Sequence, residues 1–186
     1  MTTADTTSTL LCATSWAATV PSTSTLTNTG TSSINTVVGF SMDNIVIKSA
    51  AGSRDVFLDD LGYFDNCLTY SDAANYLTYY SFGPCMTSRS GTSSAPGLCN
   101  DDTSCLQQPV TFATNQVSSS TLPYSTPMGL AKDGHIIVGP YNSSGELWSC
   151  DDHDVCNGVF LADNSYAYAM TYTFPYVVGC YGPGPT

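Results

Sequence analysis

Residues 128–180 constrain the fold most, because they contain a turn that few structures accept. Asp133 and Gly134 separate two short apolar runs. An Asp-Gly pair in that setting is a strong local signal for a β-hairpin. Residues 166–169 and 174–180 follow, and their Tyr, Val and Thr content is typical of strands. We therefore predict a hairpin followed by two further strands.

A weaker copy of this pattern lies earlier in the chain. Residues 39–47 match residues 129–137 at Gly, Asp and the final Ile, and Asn44 takes the place of the turn glycine. Asn tolerates the positive φ that such a turn requires. Each copy then runs through a Tyr-rich segment to a second cysteine. We predict an all-β, disulfide-stapled, β-sandwich-like domain over residues 37–186, built from duplicated halves at about 37–85 and 128–180. Two unrelated hairpins in an all-β protein are the alternative.

The cysteine content indicates an oxidising compartment. Eight cysteines in 186 residues are typical of secreted, disulfide-bonded proteins. Zinc binding is the alternative, but no Cys-x-x-Cys pair occurs. We therefore predict a secreted, extracellular protein. The first twenty residues lack the basic and apolar regions of a signal peptide, so we expect the numbering to start inside a longer precursor.

The duplication proposes how four of the cysteines pair. Equivalent bridges Cys67–Cys85 and Cys156–Cys180 would each close a loop around a Tyr-rich strand. The remaining cysteines then allow Cys99–Cys105 and Cys12–Cys150. Eight cysteines permit about 105 pairings, so the sequence leaves the connectivity open.

The second copy resembles the YHYH-domain family of secreted proteins, named for a Tyr-His-Tyr-His signature. The resemblance rests on residues 133–135, 139–141, 154–158, 174–176 and 179–180, with weaker matches at 67–68 and 81–85. Where the family has its two histidines, this chain has Ala167 and Ala169. The resemblance therefore implies fold and location rather than an activity.

Residues 1–36 form an N-terminal arm rich in Ser and Thr. Such tracts are typical of O-glycosylated stalks. One piece departs from that composition, because it carries the apolar residues Leu10, Leu11, Trp16 and Val20. We predict that this piece is an extended strand that packs on a sheet, in its own domain or in a neighbouring copy.

The net charge excludes two classes of partner. The formal charge is −11, with only four Lys and Arg residues. A chain this acidic does not neutralise nucleic-acid phosphates or bind anionic membrane surfaces. No apolar run approaches the length of a membrane span. We expect no nucleic-acid partner and no membrane insertion.

The acidic loop around Cys150 is the candidate metal site. Asp151, Asp152 and Asp154 offer the oxygen ligands that Ca²⁺ prefers, although a solvated acidic turn is the simpler interpretation. The two histidines, His135 and His153, make at most half of a Zn²⁺ or Cu²⁺ site. We interpret His135 as a surface or hydrogen-bonding residue. The predicted cofactor is none, with Ca²⁺ as the one candidate.

One motif predicts a covalent modification, and none predicts catalysis. Asn142 starts the N-x-Ser sequon and lies in a loop, so it is a candidate glycosylation site. No Gly-x-Ser-x-Gly motif is present, and no pair of acids stands out among the fifteen. We therefore expect that the protein is not an enzyme.

Three functions fit these observations. We favour a non-enzymatic structural protein, a glycosylated protomer of a head-to-tail fibre assembled by strand exchange through the arm. A secreted carbohydrate- or calcium-binding module is the alternative, since tyrosines on strands offer flat faces for sugars. A hydrolase or metalloenzyme of the family type is a third hypothesis.

Overall fold

The computed structural model describes residues 37–49, 64–65, 67–71, 76–86, 112–113, 115, 117–120, 122 and 124–183. The predicted arm, Cys12, Cys99 and Cys105 lie outside these residues. Eight strands are present: β1 Val37–Ser41, β2 Val46–Lys48, β3 Tyr70–Ser71, β4 Leu77–Tyr79, β5 Pro127–Ala131, β6 Ile136–Val138, β7 Gly158–Phe160 and β8 Tyr166–Ala169. The predicted all-β class is confirmed.

All eight strands belong to one sheet, in the order β3-β4-β2-β1-β5-β6-β8-β7. The order reads the same from both ends once β1–β4 (the first half) are matched with β5–β8 (the second half). From the centre of the sheet outwards, each half consists of a hairpin, then a strand that pairs parallel to the second strand of that hairpin, and then an antiparallel edge strand. The described strands thus form one continuous sheet, whereas the sequence suggested two facing sheets.

The correspondence between the halves extends to individual positions. Matching residues are shifted by 90 in the hairpins, as in Gly39 and Gly129, and by 89 further on, as in Tyr79 and Tyr168. The two hairpin turns place Asn44 at φ 67° and Gly134 at φ 93°, so both turns use the left-handed region that Asn and Gly tolerate.

The two halves meet at β1 and β5, which pair antiparallel at the centre of the sheet. Phe40 lies opposite Leu130, and on either side of them Gly39 pairs with Ala131 and Ser41 with Gly129. A Cβ on Gly39 would lie 2.5 Å from the Leu130 carbonyl oxygen, and one on Gly129 would lie 2.5 Å from the Phe40 oxygen. The two glycines therefore permit the same close backbone approach from both sides of this seam.

Each half carries one of the predicted disulfides. Cys67 is bonded to Cys85 and Cys156 to Cys180, so both proposed pairings are confirmed. Cys150 is also disulfide-bonded. Since the other four described cysteines pair with one another, the partner of Cys150 lies outside the described residues, and the pairings Cys12–Cys150 and Cys99–Cys105 stay predictions.

A large apolar cluster packs on one face of the sheet and joins both halves. Its fully buried members include Ile47 and Tyr79 of the first half and Ile137 and Tyr168 of the second. A smaller cluster lies against the second half alone and consists of Val138, Trp148, Val159, Ala167 and Ala169. Strands β6 and β8 of the second half therefore carry buried apolar side chains on both faces of the sheet.

Two segments differ from the sequence prediction. Residues 174–180 are buried but form turns and bends rather than a strand, and Tyr176 adopts φ 66°. Strand-forming residues are here used to cover the core, because burial and not propensity decides their conformation. Residues 109–116 alternate Val110, Phe112 and Ala113 with Thr and Asn, a pattern that predicts a strand. Phe112 and Ala113 are nevertheless helical.

Candidate functional site

The turn between β5 and β6 gathers polar groups around one carboxylate. The Asp133 Oδ1 atom accepts a hydrogen bond from the His135 backbone N–H at 3.2 Å. The other oxygen, Oδ2, accepts a hydrogen bond from the Tyr168 hydroxyl at 2.5 Å and lies 3.1 Å from His135 Nδ1. Because β6 pairs in parallel with β8, Ile137 lies beside Tyr168, and this pairing brings the phenol to the turn.

The C-terminal segment closes this arrangement. The backbone N–H of Gly182 donates a hydrogen bond to the Tyr168 hydroxyl at 2.9 Å. Tyr181 precedes Gly182 in the chain, and its hydroxyl is buried without a hydrogen-bond partner among the described residues. His135 Nδ1 is also buried, and in the same part of the chain no group meets hydrogen-bond geometry there despite its proximity to Asp133. We call Asp133, His135, Tyr168 and Tyr181 the Asp133 cluster.

Aromatic rings flank the Asp133 cluster. The imidazole of His135 meets the Tyr166 ring edge-on, with ring centroids 5.1 Å apart, and the Tyr168 ring at 5.9 Å. The Tyr166 and Tyr168 rings are also edge-on to each other at 5.3 Å. Edge-to-face contacts of this kind fix ring orientation, so the donor atoms of the cluster lie on ordered side chains.

A second carboxylate, Asp154, organises the loop that precedes β7. Its Oδ1 atom accepts hydrogen bonds from the backbone N–H groups of Cys156 and Gly158, at 2.9 and 2.8 Å. Its Oδ2 atom accepts a hydrogen bond from the Tyr166 hydroxyl at 2.8 Å. Asp154 is buried, and its three donors satisfy the charge that burial would otherwise penalise.

Burial and hydrogen bonding shift several pKa values in this region. Burial, followed by the hydrogen bonds to Asp154 and Asp133, raises the pKa of Tyr166 and of Tyr168 far above the ordinary value. Burial alone would raise the pKa of Asp133, but hydrogen bonds from Tyr168 and His135 outweigh it and hold that pKa below the usual value. The resting state is therefore an ionised Asp133 with neutral phenols around it.

The three acids predicted for Ca²⁺ do not converge. Asp154 is buried and committed to its loop, whereas Asp151 and Asp152 are exposed. Asp152 Oδ2 accepts hydrogen bonds from the N–H and the hydroxyl of Ser149. Across the described part of the chain, no group of three or more His, Cys, Asp or Glu side chains is placed to hold a metal ion. The structure thus gives the calcium hypothesis no ligand set.

The two histidines lie in different places. His135 is partly exposed and belongs to the Asp133 cluster. The Nδ1 atom of His153 lies 3.1 Å from the Asp154 carbonyl oxygen. His135 was expected to be a surface or hydrogen-bonding residue, and its place among two tyrosines and an aspartate was not foreseen.

Asn142 shapes its own loop. Its Oδ1 atom accepts hydrogen bonds from the backbone N–H groups of Ser144 and Glu146, at 2.9 and 3.1 Å. Asn142 also hydrogen-bonds to the Asp152 side chain and contributes to lowering the pKa of that acid, behind the larger contribution of Ser149. The sequon thus lies in an ordered turn, and glycosylation there stays a prediction.

Ala167 and Ala169, which stand where the family signature has histidine, lie on the opposite face from Tyr166 and Tyr168. Both alanines are fully buried against the smaller apolar cluster. Imidazoles at these positions would need room that Trp148 now fills. This part of the strand therefore serves packing in this chain.

The comparisons with known proteins add no relative. No protein-family model, no curated protein and no solved structure matches this chain. Among the described residues, no helix is long and apolar enough to cross a membrane. The function must therefore be argued from the site and the sheet themselves.

Proposed function

We propose that the protein is a non-enzymatic extracellular structural protein, a glycosylated protomer of a head-to-tail fibre. In this proposal the arm residues Leu10, Leu11, Trp16 and Val20 form a strand that adds to the sheet of the next copy. The observation that carries the proposal is the sheet itself, which among the described residues is open at both edges. Open edges accept an added strand through backbone hydrogen bonds.

The β7 edge is the better acceptor of the two. It spans three residues, whereas β3 at the opposite edge spans two. Phe160 on β7 is 63 % exposed, so this edge offers a large apolar side chain to an added strand. An arm strand that pairs with β7 would cover Phe160 with Leu or Trp side chains. We therefore infer that β7 receives the arm.

The interior of the protein supports a durable structural role. Each half is closed by a disulfide, and the acids Asp65 and Asp154 are used to hold loops. Disulfides also support location outside the reducing cytosol. Membership of the YHYH-domain family and a glycan on Asn142 are part of the same proposal.

Deletion of residues 1–20 tests the assembly. We expect the full-length protein to form filaments in negative-stain images and the deletion variant to remain a folded monomer by light scattering. Retained filaments in the deletion variant, or a full-length protein that stays monomeric at high concentration, would refute strand exchange by the arm.

Substitution at the edge tests the acceptor. Phe160→Ser should shorten or abolish filaments, because the arm loses its largest contact on β7. The matched control is Tyr76→Ser, which removes an aromatic side chain of similar exposure, 69 %, from the first half. Equal effects of the two variants would show that β7 is not the acceptor, whatever the role of the arm.

A further inference from the structure

The Asp133 cluster contains four potential metal ligands. Asp133 supplies a carboxylate, His135 an imidazole nitrogen, and Tyr168 and Tyr181 two phenol oxygens. Among the described residues, no group meets hydrogen-bond geometry at two of these atoms, His135 Nδ1 and Tyr181 Oη, although Nδ1 lies 3.1 Å from Asp133 Oδ2. Buried polar atoms are rarely left in that state, and each one calls for an explanation such as an unseen ion.

Three of the four atoms lie close together. Asp133 Oδ2 is 2.5 Å from the Tyr168 hydroxyl and 3.1 Å from His135 Nδ1, separations comparable to those between neighbouring ligands of one metal ion. Burial and, behind it, the charge of Asp133 raise the pKa of Tyr181, so its hydroxyl lies within electrostatic reach of the same carboxylate. The β5–β6 turn and β8 thus bring three donors together, and the C-terminal segment, whose Gly182 N–H donates to the Tyr168 hydroxyl, carries the fourth.

The donor types select the ion. Carboxylate and phenolate oxygens are hard, anionic ligands, and imidazole also binds iron. A tyrosine phenolate is an established ligand of oxidised iron in haem proteins. Ca²⁺ and Mg²⁺ prefer carboxylates, carbonyls and water, and sites for Zn²⁺ and Cu⁺ favour sulfur or several imidazoles. One carboxylate, one imidazole and two phenols best suit a hard trivalent cation.

We propose that the Asp133 cluster is a binding site for ferric iron. The ion binds Asp133, His135, Tyr168 and Tyr181, and solvent or a small anion completes its coordination. Binding breaks the O–H bonds of the two phenols and releases both protons to solvent, with no change in the oxidation state of the iron. The charge of the ion reverses the electrostatic cost that keeps these phenols protonated in the metal-free protein.

The first half provides an internal control for this site. It retains the same carboxylate and phenol, since the Tyr79 hydroxyl donates to Asp43 Oδ2 at 3.0 Å. At the position of His135, however, it has Ile45, and the residue after its second cysteine is Met86 where the second half has Tyr181. Two of the four ligands are therefore missing, and the first half should not bind the ion.

The test uses the full-length protein titrated with ferric nitrilotriacetate. Iron bound by phenolate gives a visible charge-transfer absorption, which apolar packing or a lone carboxylate does not produce. We expect one ion per chain with this absorption, and affinity that increases with pH because two protons are released. Tyr181→Phe and His135→Gln should each weaken binding at least ~10-fold.

Two controls separate this site from adventitious binding. Tyr79→Phe should leave both absorption and affinity unchanged, because the first half lacks the other ligands. Asp151→Asn with Asp152→Asn removes exposed acids and should also have no effect. Circular dichroism checks that each variant is folded. Absence of the absorption in the wild type, or its persistence at full strength in Tyr181→Phe, overturns the proposal.

Discussion

The two halves of the sheet share one architecture but solve the same local problem with different residues. In the first half Asp65 holds its loop through Oδ1, which accepts from the N–H groups of Cys67 and Thr69, and its Oδ2 accepts the Thr69 hydroxyl at 2.5 Å. In the second half Asp154 makes the equivalent backbone bonds, but its Oδ2 accepts the Tyr166 hydroxyl.

Gly158 explains why the second half uses the Tyr166 hydroxyl as the side-chain donor to its loop carboxylate. It stands where the first half has Thr69, and a Cβ there would lie 1.7 Å from the Tyr166 hydroxyl oxygen. Removing the side chain at this position frees the space through which Tyr166 reaches the carboxylate. At the position of Tyr166 the first half has Leu77, which is exposed. The comparison teaches that the loop carboxylate takes a side-chain donor in both halves, while the residue that supplies this donor can change.

The largest expected effect is the loss of the buried carboxylate. Asp154→Ala leaves two backbone N–H groups and the Tyr166 hydroxyl without their acceptor, so we expect it to reduce the free energy of unfolding by about 3–5 kcal/mol. Asp65 is exposed, so water can replace some of the hydrogen bonds that Asp65→Ala removes. We therefore expect Asp65→Ala to reduce the free energy of unfolding by only about 1–2 kcal/mol. Urea denaturation measures both; equal losses would show that the two loops are not held differently.

The next largest effect on stability should come from exchanging the side-chain hydrogen-bond donor to Asp154 for the one that the first half uses. Gly158→Ala should cost about 2–3 kcal/mol, because its methyl group overlaps the Tyr166 hydroxyl and forces it from Asp154. The double variant Gly158→Thr with Tyr166→Leu installs the arrangement of the first half. We expect it to recover part of that loss in urea denaturation. A double variant less stable than Gly158→Ala would mean that the two solutions are not interchangeable.

At the seam between β1 and β5, we expect matched glycine substitutions in the two halves to cause equal losses of stability. Gly39→Ala and Gly129→Ala each place a methyl group against a carbonyl of the partner strand, so each should cost about 1–2 kcal/mol. Because the register around Phe40 and Leu130 is symmetric, thermal unfolding should show losses that agree within about 0.5 kcal/mol. A clear inequality would indicate that the surroundings of the seam break its symmetry.

The smallest expected effect is on the stability of the protein at acid pH. The lowered pKa of Asp133 means that its contribution to stability is complete above the unfolded value of about 3.9 and is lost as the pH falls through the folded value. Asp133→Asn should therefore flatten the loss of stability below about pH 4. Tyr168→Phe removes one cause of the shift and should flatten the same profile less. Acid denaturation followed by fluorescence measures these slopes, and parallel curves for all three proteins would contradict the assignment.

Much of the local structure follows from short sequence signals. Asp133-Gly134 and Asp43-Asn44 specify turns, because Gly and Asn accept positive φ. The matched spacings led from these turns to the correct partners for Cys67 and Cys156. Residues 174–180 show where such signals fail, since their strand-like composition serves burial in an irregular segment.

The Asp133 cluster was missed because its members are distant in sequence. Asp133 and His135 flank the turn glycine, and their local pattern predicted only a hairpin. Tyr168 reaches them through the parallel pairing of β6 and β8, and Tyr181 through the packing of the C-terminal segment on the core. The acids that did stand out, Asp151 and Asp152, are neighbours in sequence but lie on the surface.

The sequence by itself determined the elements whose causes lie within a few residues, namely the hairpin turns and the alternating Tyr segment. Its repeated spacing also proposed two disulfide pairings that the structure contains. Only the tertiary structure decided that the strands form one sheet, that its order is the same from both ends, and that Asp133 meets the distant Tyr168. Pairing between strands far apart in the chain depends on the packing of the whole sheet, and no local propensity encodes that choice.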